Sequence, residues 1–176
     1  PDIIKSIRQE NKYTLGGKLE SYLTCHPPRQ TIIDRLKKAG LDTTGPIASI
    51  NAGTLYLDDQ LAAIRKTLEE QGLADNTLII WVADHSIYGK GSCYLSGTKV
   101  PMILHWPGKI PSKTIINENV SLIDLYKTSL AAANQTKMQE NIDGENILPL
   151  AMQTSNTHGT VYSEVNWFRS VIKGKY

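Results

Sequence analysis

The chain is poor in the features that classify a small protein quickly. It has two cysteines, Cys25 and Cys93, too few for a disulfide framework and silent about redox compartment. Its net charge is only +2, nineteen basic residues against seventeen acidic ones. The densest basic spots, Arg35-Leu36-Lys37-Lys38 and Lys173-Gly174-Lys175, are too short for the footprint of a nucleic-acid binder and read as solvated faces. No apolar run approaches the length of a bilayer-spanning helix, and Pro1-Asp2-Ile3-Ile4-Lys5 lacks the charged-then-apolar order of a signal peptide. An initiator Met is also missing, so the expectation is a piece of a longer protein, incomplete at both ends. Internal repeats and low-complexity segments are absent. Asn119-Val120-Ser121 and Asn134-Gln135-Thr136 match the glycosylation acceptor pattern, as ten asparagines would by chance.

What is present is a soluble globular composition, with 40% apolar residues in 176, enough for one core. The periodicities alternate between helix and strand. Asp2 caps a first helix with Ile3, Ile4 and Ile7 on one side, and Gly16-Gly17 opens a turn into a strand over 19–25 that Pro27-Pro28 ends. Residues 29–39 form a helix with Ile32, Ile33 and Leu36 inward and Gly40 as its stop. The longest helix runs from Pro46 to about Gln71, with Ile50, Thr54, Leu57, Leu61, Ile64 and Leu68 at helical spacing and Gly72 beyond its end. A strand at 77–83, a loop at 86–100 and a strand at 102–106 follow. Ser121 caps a helix with Asp124 three residues on, Ile123, Tyr126 and Leu130 lining its inner side. Residues 160–165 and 168–173 read as two short strands. Long helices alternating with buried strands predict a layered α/β sandwich with a mainly parallel sheet.

The most informative stretch is Asn76-Thr77-Leu78-Ile79-Ile80-Trp81-Val82-Ala83-Asp84-His85. Residues 78–82 show no apolar/polar alternation, which predicts a strand covered on both faces. Where such a strand leaves its sheet, an acid and an imidazole stand side by side, and α/β enzymes keep their chemistry at strand ends. On the dipeptide alone, a capping Asp with a surface His is the better explanation of the pair. Lys90 stands between two glycines, whose backbones can approach closely and leave its ammonium free to point into a pocket or simply into solvent. The Gly-x-x-x-x-Gly-Lys-Ser/Thr of a P-loop is not met, since Gly91 follows Lys90. Asp58 and Asp59 are adjacent in a helix, where side chains diverge by about 100° and do not share one ion easily. His105 reads as a core or semi-core histidine and His158 as solvated.

Tyr56-Leu57-Asp58-Asp59-Gln60, Gly72-Leu73-Ala74-Asp75-Asn76-Thr77-Leu78, Asp84-His85, Gly89-Lys90-Gly91-Ser92, Lys99-Val100-Pro101 and Trp106-Pro107-Gly108-Lys109-Ile110 follow one another in an order and spacing that resembles the second half of a type I sulfatase of the alkaline-phosphatase superfamily. The resemblance implies an alkaline-phosphatase-like fold, with residues 1–150 a partial catalytic domain and 151–176 the start of carboxy-terminal strands or a smaller subdomain. It implies sulfate-ester hydrolysis with calcium (Ca2+), Asp84 and His85 completing the metal site and Lys90 binding the sulfate. Such a reaction needs a cation and fixed positive groups for the charge that gathers on the sulfate oxygens, and Ca2+ prefers hard oxygen ligands.

The family's nucleophile is a formylglycine made from Cys-x-Pro-x-Arg, a pattern that Cys25-His26-Pro27-Pro28-Arg29 fits. Its closeness to Asp84, the lack of a preceding acidic pair and the missing Thr-Gly ending make that match accidental. The resemblance instead makes residues 19–28 the mid-domain strand ending in His-x-Pro, with His26 as the acid that protonates the leaving oxygen; an exposed loop histidine is the plain alternative. The implied partners are a sulfated small molecule or carbohydrate and the upstream part of the same domain, in a periplasmic, secreted or lysosomal setting. Without the nucleophile segment the chain alone is expected to be nearly inactive. A phosphoric or phosphonic ester hydrolase of the same superfamily, or a non-catalytic remnant, are the other readings.

Overall fold

The computed structural model describes residues 29–86, 89–135, 141–155 and 159–174, apart from the side chains of Arg29, Gln30 and Pro46. The helix and strand expected before residue 28 lie outside the described residues, as do Cys25, His26 and His158. Two compact units part between Ala74 and Asp75.

In the first unit, α1 spans Arg29–Lys38 and α2 spans Gly45–Glu70, about 39 Å of helix at 1.5 Å per residue. Both end as their glycines foretell. Gly40 and Gly72 adopt φ +71 and +66, a conformation that costs a Cβ-free residue little. The next amides, Leu41 and Leu73, turn back to the carbonyls of Leu36 and Leu68 at 2.9 and 2.8 Å, satisfying carbonyls the helix end would otherwise orphan. A bidentate pair joins the helices, Arg35 Nη1 and Nη2 donating to Asp59 Oδ2 and Oδ1 at 2.7 and 2.8 Å. Asp59 is therefore held in packing, and Asp58 is exposed.

The buried stripe of α2 differs from the expected one. Ala63, Thr67 and Leu68 are buried, while Ile50 and Leu57 are 38% and 49% exposed. Apolar spacing located the helix and the buried Leu68, but Ala63 and Thr67 are buried beside it where Ile50 and Leu57 were expected. Thr67 can be buried because its hydroxyl donates to the Ala63 carbonyl at 2.9 Å.

The second unit holds β1 (Ile79–Val82), a one-turn helix α3 (Leu95–Thr98), β2 (Met102–His105), α4 (Asp124–Ala132), α5 (Leu148–Ala151), β3 (Val161–Val165) and β4 (Phe168–Ile172). β1 pairs antiparallel with β2, Ile79 opposite His105 and Val82 opposite Met102. β3 and β4 form an antiparallel hairpin, with Asn166 at φ +53 opening its turn. The β1–β2 pair thus runs opposite to the parallel pairing the sequence predicts for β1, while the hairpin supplies the two short strands expected at the carboxy-terminal end. A parallel connection needs a crossover, usually a helix, layered on the sheet, and the described residues of 83–101 contain only α3. The strand β1 is half-buried throughout, without alternation.

Trp106 follows β2 and is 4% exposed. Its indole donates to the Asp75 carbonyl at 2.9 Å, and Lys109 Nζ lies 3.8 Å above its ring. Pro107 and Gly108, the latter at φ +73, occupy the central positions of a turn closed by the Lys109 amide on the Trp106 carbonyl at 3.1 Å. This is the residue choice of a type II turn.

The core of this unit is Ile147, Leu148, Leu150 and Ala151, covered by polar residues of α4. Asp124 and Thr128 are 1% and 0% exposed, whereas Ile123 and Tyr126, expected inside, are 52% and 45% exposed. Asp124 is buried because its oxygens have partners: Oδ2 accepts the Ser121 amide at 2.6 Å and Oδ1 the Glu145 amide at 2.8 Å. Thr128 Oγ1 donates to the Asp124 carbonyl at 2.7 Å and accepts the Ile147 amide at 3.1 Å. Ser121 is not the cap: Ile123 holds the N-cap position, with no side-chain cap bond, and although Asp124 reaches back to the Ser121 amide, the Ser121 carbonyl rather than its hydroxyl receives the Asp124 amide.

Thr128→Val leaves the buried Ile147 amide without an acceptor, and chemical denaturation is expected to show a loss of about 1–3 kcal/mol that Thr128→Ser largely avoids. A Val variant as stable as the parent would contradict the clasp. A double-mutant cycle on Arg35 and Asp59 is expected to give a coupling of about 0.5–1 kcal/mol that shrinks with salt; no coupling would mean the pair is incidental.

Candidate functional site

The last ladder bond after β1 joins the Ala83 amide to the Pro101 carbonyl at 3.3 Å, and Asp84 is the next residue. The acid therefore stands where the chain leaves the sheet, as its position after an apolar run implies. Asp84 Oδ1 accepts the His85 amide at 2.9 Å, which fixes the carboxylate relative to the backbone. Its side chain is 87% exposed and that of His85 41% exposed.

The imidazole is oriented from the other side. His85 Nδ1 lies 2.9 Å from the Ser86 carbonyl oxygen, an atom that only accepts, so this bond forms in the tautomer with its proton on Nδ1. In the neutral ring Nε2 then keeps its lone pair. That nitrogen is 3.5 Å from Asp84 Oδ2. Two ligand arms of about 2.4 Å at a right angle end about 3.4 Å apart, so the bite suits one cation shared by both atoms. The carboxylate is the hard donor Ca2+ takes, and the imidazole is a donor that transition metals take more readily. Among the described residues no group of three or more His, Cys, Asp or Glu side chains gathers around a common point.

Lys90 sits on the adjoining turn, beyond residues 87–88. The Ser92 amide closes that turn on the Gly89 carbonyl at 3.0 Å, and Gly91, at φ +85, takes the position that demands a left-handed residue. Lys90 is exposed. The turn is clamped by backbone contact: a Cβ at Gly89 would run into the Ser96 carbonyl group and the Gly97 nitrogen, and one at Gly97 into the carbonyl oxygens of Gly89 and Ser92. The glycine before Lys90 thus serves close approach, as the sequence suggests, and the one after it serves the turn. Gly97 was missed, although small residues at 96–98 after a Gly-Lys-Gly are a readable sign of it. A second anchor was also missed: Cys93 Sγ lies 3.4 Å from the Phe168 carbonyl oxygen and 3.7 Å from that of Ser163, fastening the loop to the β3–β4 hairpin. His105 is half-buried in β2. Asp84 and His85 are brought together; His26 and Cys25 lie outside the described residues.

The helices and strands belong to an α/β fold of the alkaline-phosphatase type, which solved structures share. The chain resembles the crystal structure of Ps i-CgsB in complex with k-i-k-neocarrahexaose at a TM-score of 0.64 and 25% identity, over 83% of this chain and 36% of that one. The PsFucS1 sulfatase from Pseudoalteromonas sp. matches at a TM-score of 0.58 and 25% identity, over 64% of this chain and 26% of that one. The family model for Sulfatase matches residues 12–135. The chain belongs to the sulfatase family. Human N-acetylgalactosamine-6-sulfatase is 28% identical over 114 residues, 55% of this chain and 22% of that protein. The ulvan-active sulfatase of Formosa agariphila is 35% identical over 91 residues, 52% of this chain and 18% of that protein. The chain spans about a fifth of the length of these curated relatives. Among the described residues no helix is long and apolar enough to cross a membrane.

Gly97→Ala is expected to cost about 1–3 kcal/mol and to abolish hydrogen-exchange protection of the Ser92 amide, while the ladder between β1 and β2 keeps its own. Retained protection at Ser92 would mean the clamp does not hold the turn.

Proposed function

We propose that this chain contributes a cation-binding pair and an anion-binding lysine to a site that hydrolyses sulfate esters. Asp84 and His85 hold part of the coordination of one divalent cation, Ca2+ in the family's pattern. Lys90 meets the sulfate group, and His26 protonates the leaving oxygen. The observation that supports this most is the 3.5 Å separation of Asp84 Oδ2 and His85 Nε2, with the opposite ring nitrogen committed to the Ser86 carbonyl. A bound cation supplies charge stabilisation for the transferring group. The chain's own share is to fix the carboxylate through the His85 amide, to fix the ring through Ser86, and to present the Lys90 ammonium on a turn that its glycines keep from moving. Cys25 stands in an accidental match to the nucleophile pattern and no other Cys-x-Pro-x-Arg occurs in the sequence, so the chain alone is expected to turn over essentially no aryl sulfate. The ester cleaved is a sulfated small molecule or carbohydrate.

The test is a thermal-shift titration with Ca2+ and Mn2+, read beside hydrolysis of an aryl sulfate and an aryl phosphate. Metal at a hundredfold excess over its Kd stabilises by about 2.7 kcal/mol, and Asp84→Ala is expected to remove that response. No response to either metal in the parent chain would contradict the cation site. Turnover of aryl sulfate by the chain alone, lost in Cys25→Ala, would contradict the assignment of the nucleophile elsewhere. Hydrolysis of the phosphate and not the sulfate would move the activity to a phosphoric ester.

A further inference from the structure

The helix α2 is apolar on two opposite sides. On one, Ala52, Leu55, Tyr56 and Asp59 line a shared cleft with Ile32 and Arg35 of α1, and the Arg35–Asp59 pair fastens the two helices. The other side carries Ile47, Ile50, Thr54 and Leu57, at spacings of three, four and three residues. At about 100° per residue, that stripe lies opposite the one that meets α1. Ile47, Ile50 and Leu57 are 53%, 38% and 49% exposed, and Thr54 is exposed with them. The Thr54 hydroxyl donates to the Ile50 carbonyl at 2.9 Å, so its polarity is spent within the helix. Beside the stripe, Gly53 has open space where a Cβ would stand. Residues 43–57 include no charged side chain. A contiguous apolar face marks a contact surface, and alternating spacings of three and four form the seam by which one helix packs along another. Charge begins just beyond the seam. Asp58 is exposed and has no hydrogen-bond or ion-pair partner among the described residues. At the other end, Thr44 holds the N-cap position without a side-chain bond, and the first turn contains no acid, so the positive end of the helix dipole goes uncompensated.

We propose that this face joins two copies of the chain, α2 against α2 in antiparallel order. With a two-fold axis level with Ala52, Ile47 meets Leu57 of the second copy, Ile50 meets Thr54 of the second copy, and Asp58 comes opposite Thr44 of the second copy. Each contact occurs twice. The free carboxylate then stands at the uncapped helix end that has no acid of its own. A parallel pairing would bring the two Asp58 carboxylates to the same level and leave both helix ends without an acid, so the charges select the antiparallel order. A self-complementary contact of this kind closes on itself and stops at the dimer. It is independent of the sulfate-ester reading.

The experiment is sedimentation velocity of the full chain across a concentration series, with circular dichroism as the control of fold. A reversible monomer–dimer equilibrium is expected. Ile47→Asp and Leu57→Asp are each expected to abolish the dimer, because each puts two charges into the seam, and to leave the dichroism unchanged, because both positions are exposed in the single chain. Asp58→Asn is expected to weaken the dimer by about three- to thirtyfold, two helix-end contacts being lost. Thr44→Asp separates this effect from a change in the fold: a carboxylate at the N-cap is expected to raise the Tm of the monomer and to weaken the dimer by repelling Asp58 of the second copy. A chain that stays monomeric at every concentration, or a dimer that survives both Ile47→Asp and Leu57→Asp, overturns the docking face. A dimer lost in Leu57→Asp but indifferent to Asp58→Asn and Thr44→Asp overturns the antiparallel pairing. Assemblies that grow past the dimer with concentration overturn the two-fold closure.

Discussion

Gly89 and Gly97 lie backbone against backbone, with no room at either for a methyl group, and the candidate site depends on that contact. The chain leaves β1 at Asp84 and returns at Met102 to pair with it antiparallel. An excursion of this length over the end of a two-stranded sheet would ordinarily be soft. The glycine contact folds it back on itself, so that the turn carrying Lys90 rests on α3 instead of drifting in solvent. Cys93 adds a second fastening on the hairpin. Catalysis by positioned charge requires this sort of backbone constraint, because a lysine on a free loop costs ordering entropy each time an anion binds.

The same unit builds its interior with polar groups that are fully engaged. Asp124 and Thr128 are among its most buried residues, yet each of the contacts to Ser121, Glu145 and Ile147 satisfies a backbone amide that the chain would otherwise bury unpaired. Buried polar groups are tolerable only on those terms. The result is a stiff support made from a short helix and a loop, on which Ile147, Leu148, Leu150 and Ala151 pack.

Much of this was legible in the sequence wherever one residue type has one physical use. Gly40 and Gly72 end helices, Pro107-Gly108 makes a turn, and Asp84 follows an apolar strand; each stands where its chemistry requires. The α/β class and the family followed from the order of such blocks. Side-chain burial was harder to read. Periodicity marks a helix but not which face its neighbours choose, so Ala63 and Thr67 displaced Ile50 and Leu57, and the Asp124–Thr128 clasp displaced Ile123 and Tyr126. An apolar strand without alternation suggests a parallel partner, but the direction of pairing depends on the connection, and the described residues of 83–101 hold no crossover helix. The glycine contact and the Cys93 anchor are non-local, formed between positions that no local pattern links.

The shared Asp84–His85 site stands or falls on the state of one ring. Nitrogen NMR of His85 in the full chain reports which ring atom carries the proton and whether the other meets a cation. Protonation at Nδ1 is expected, with the Nε2 resonance moving on addition of a divalent cation in the parent and not in Asp84→Ala. A proton on Nε2, with a resonance that ignores the metal, would contradict the shared site.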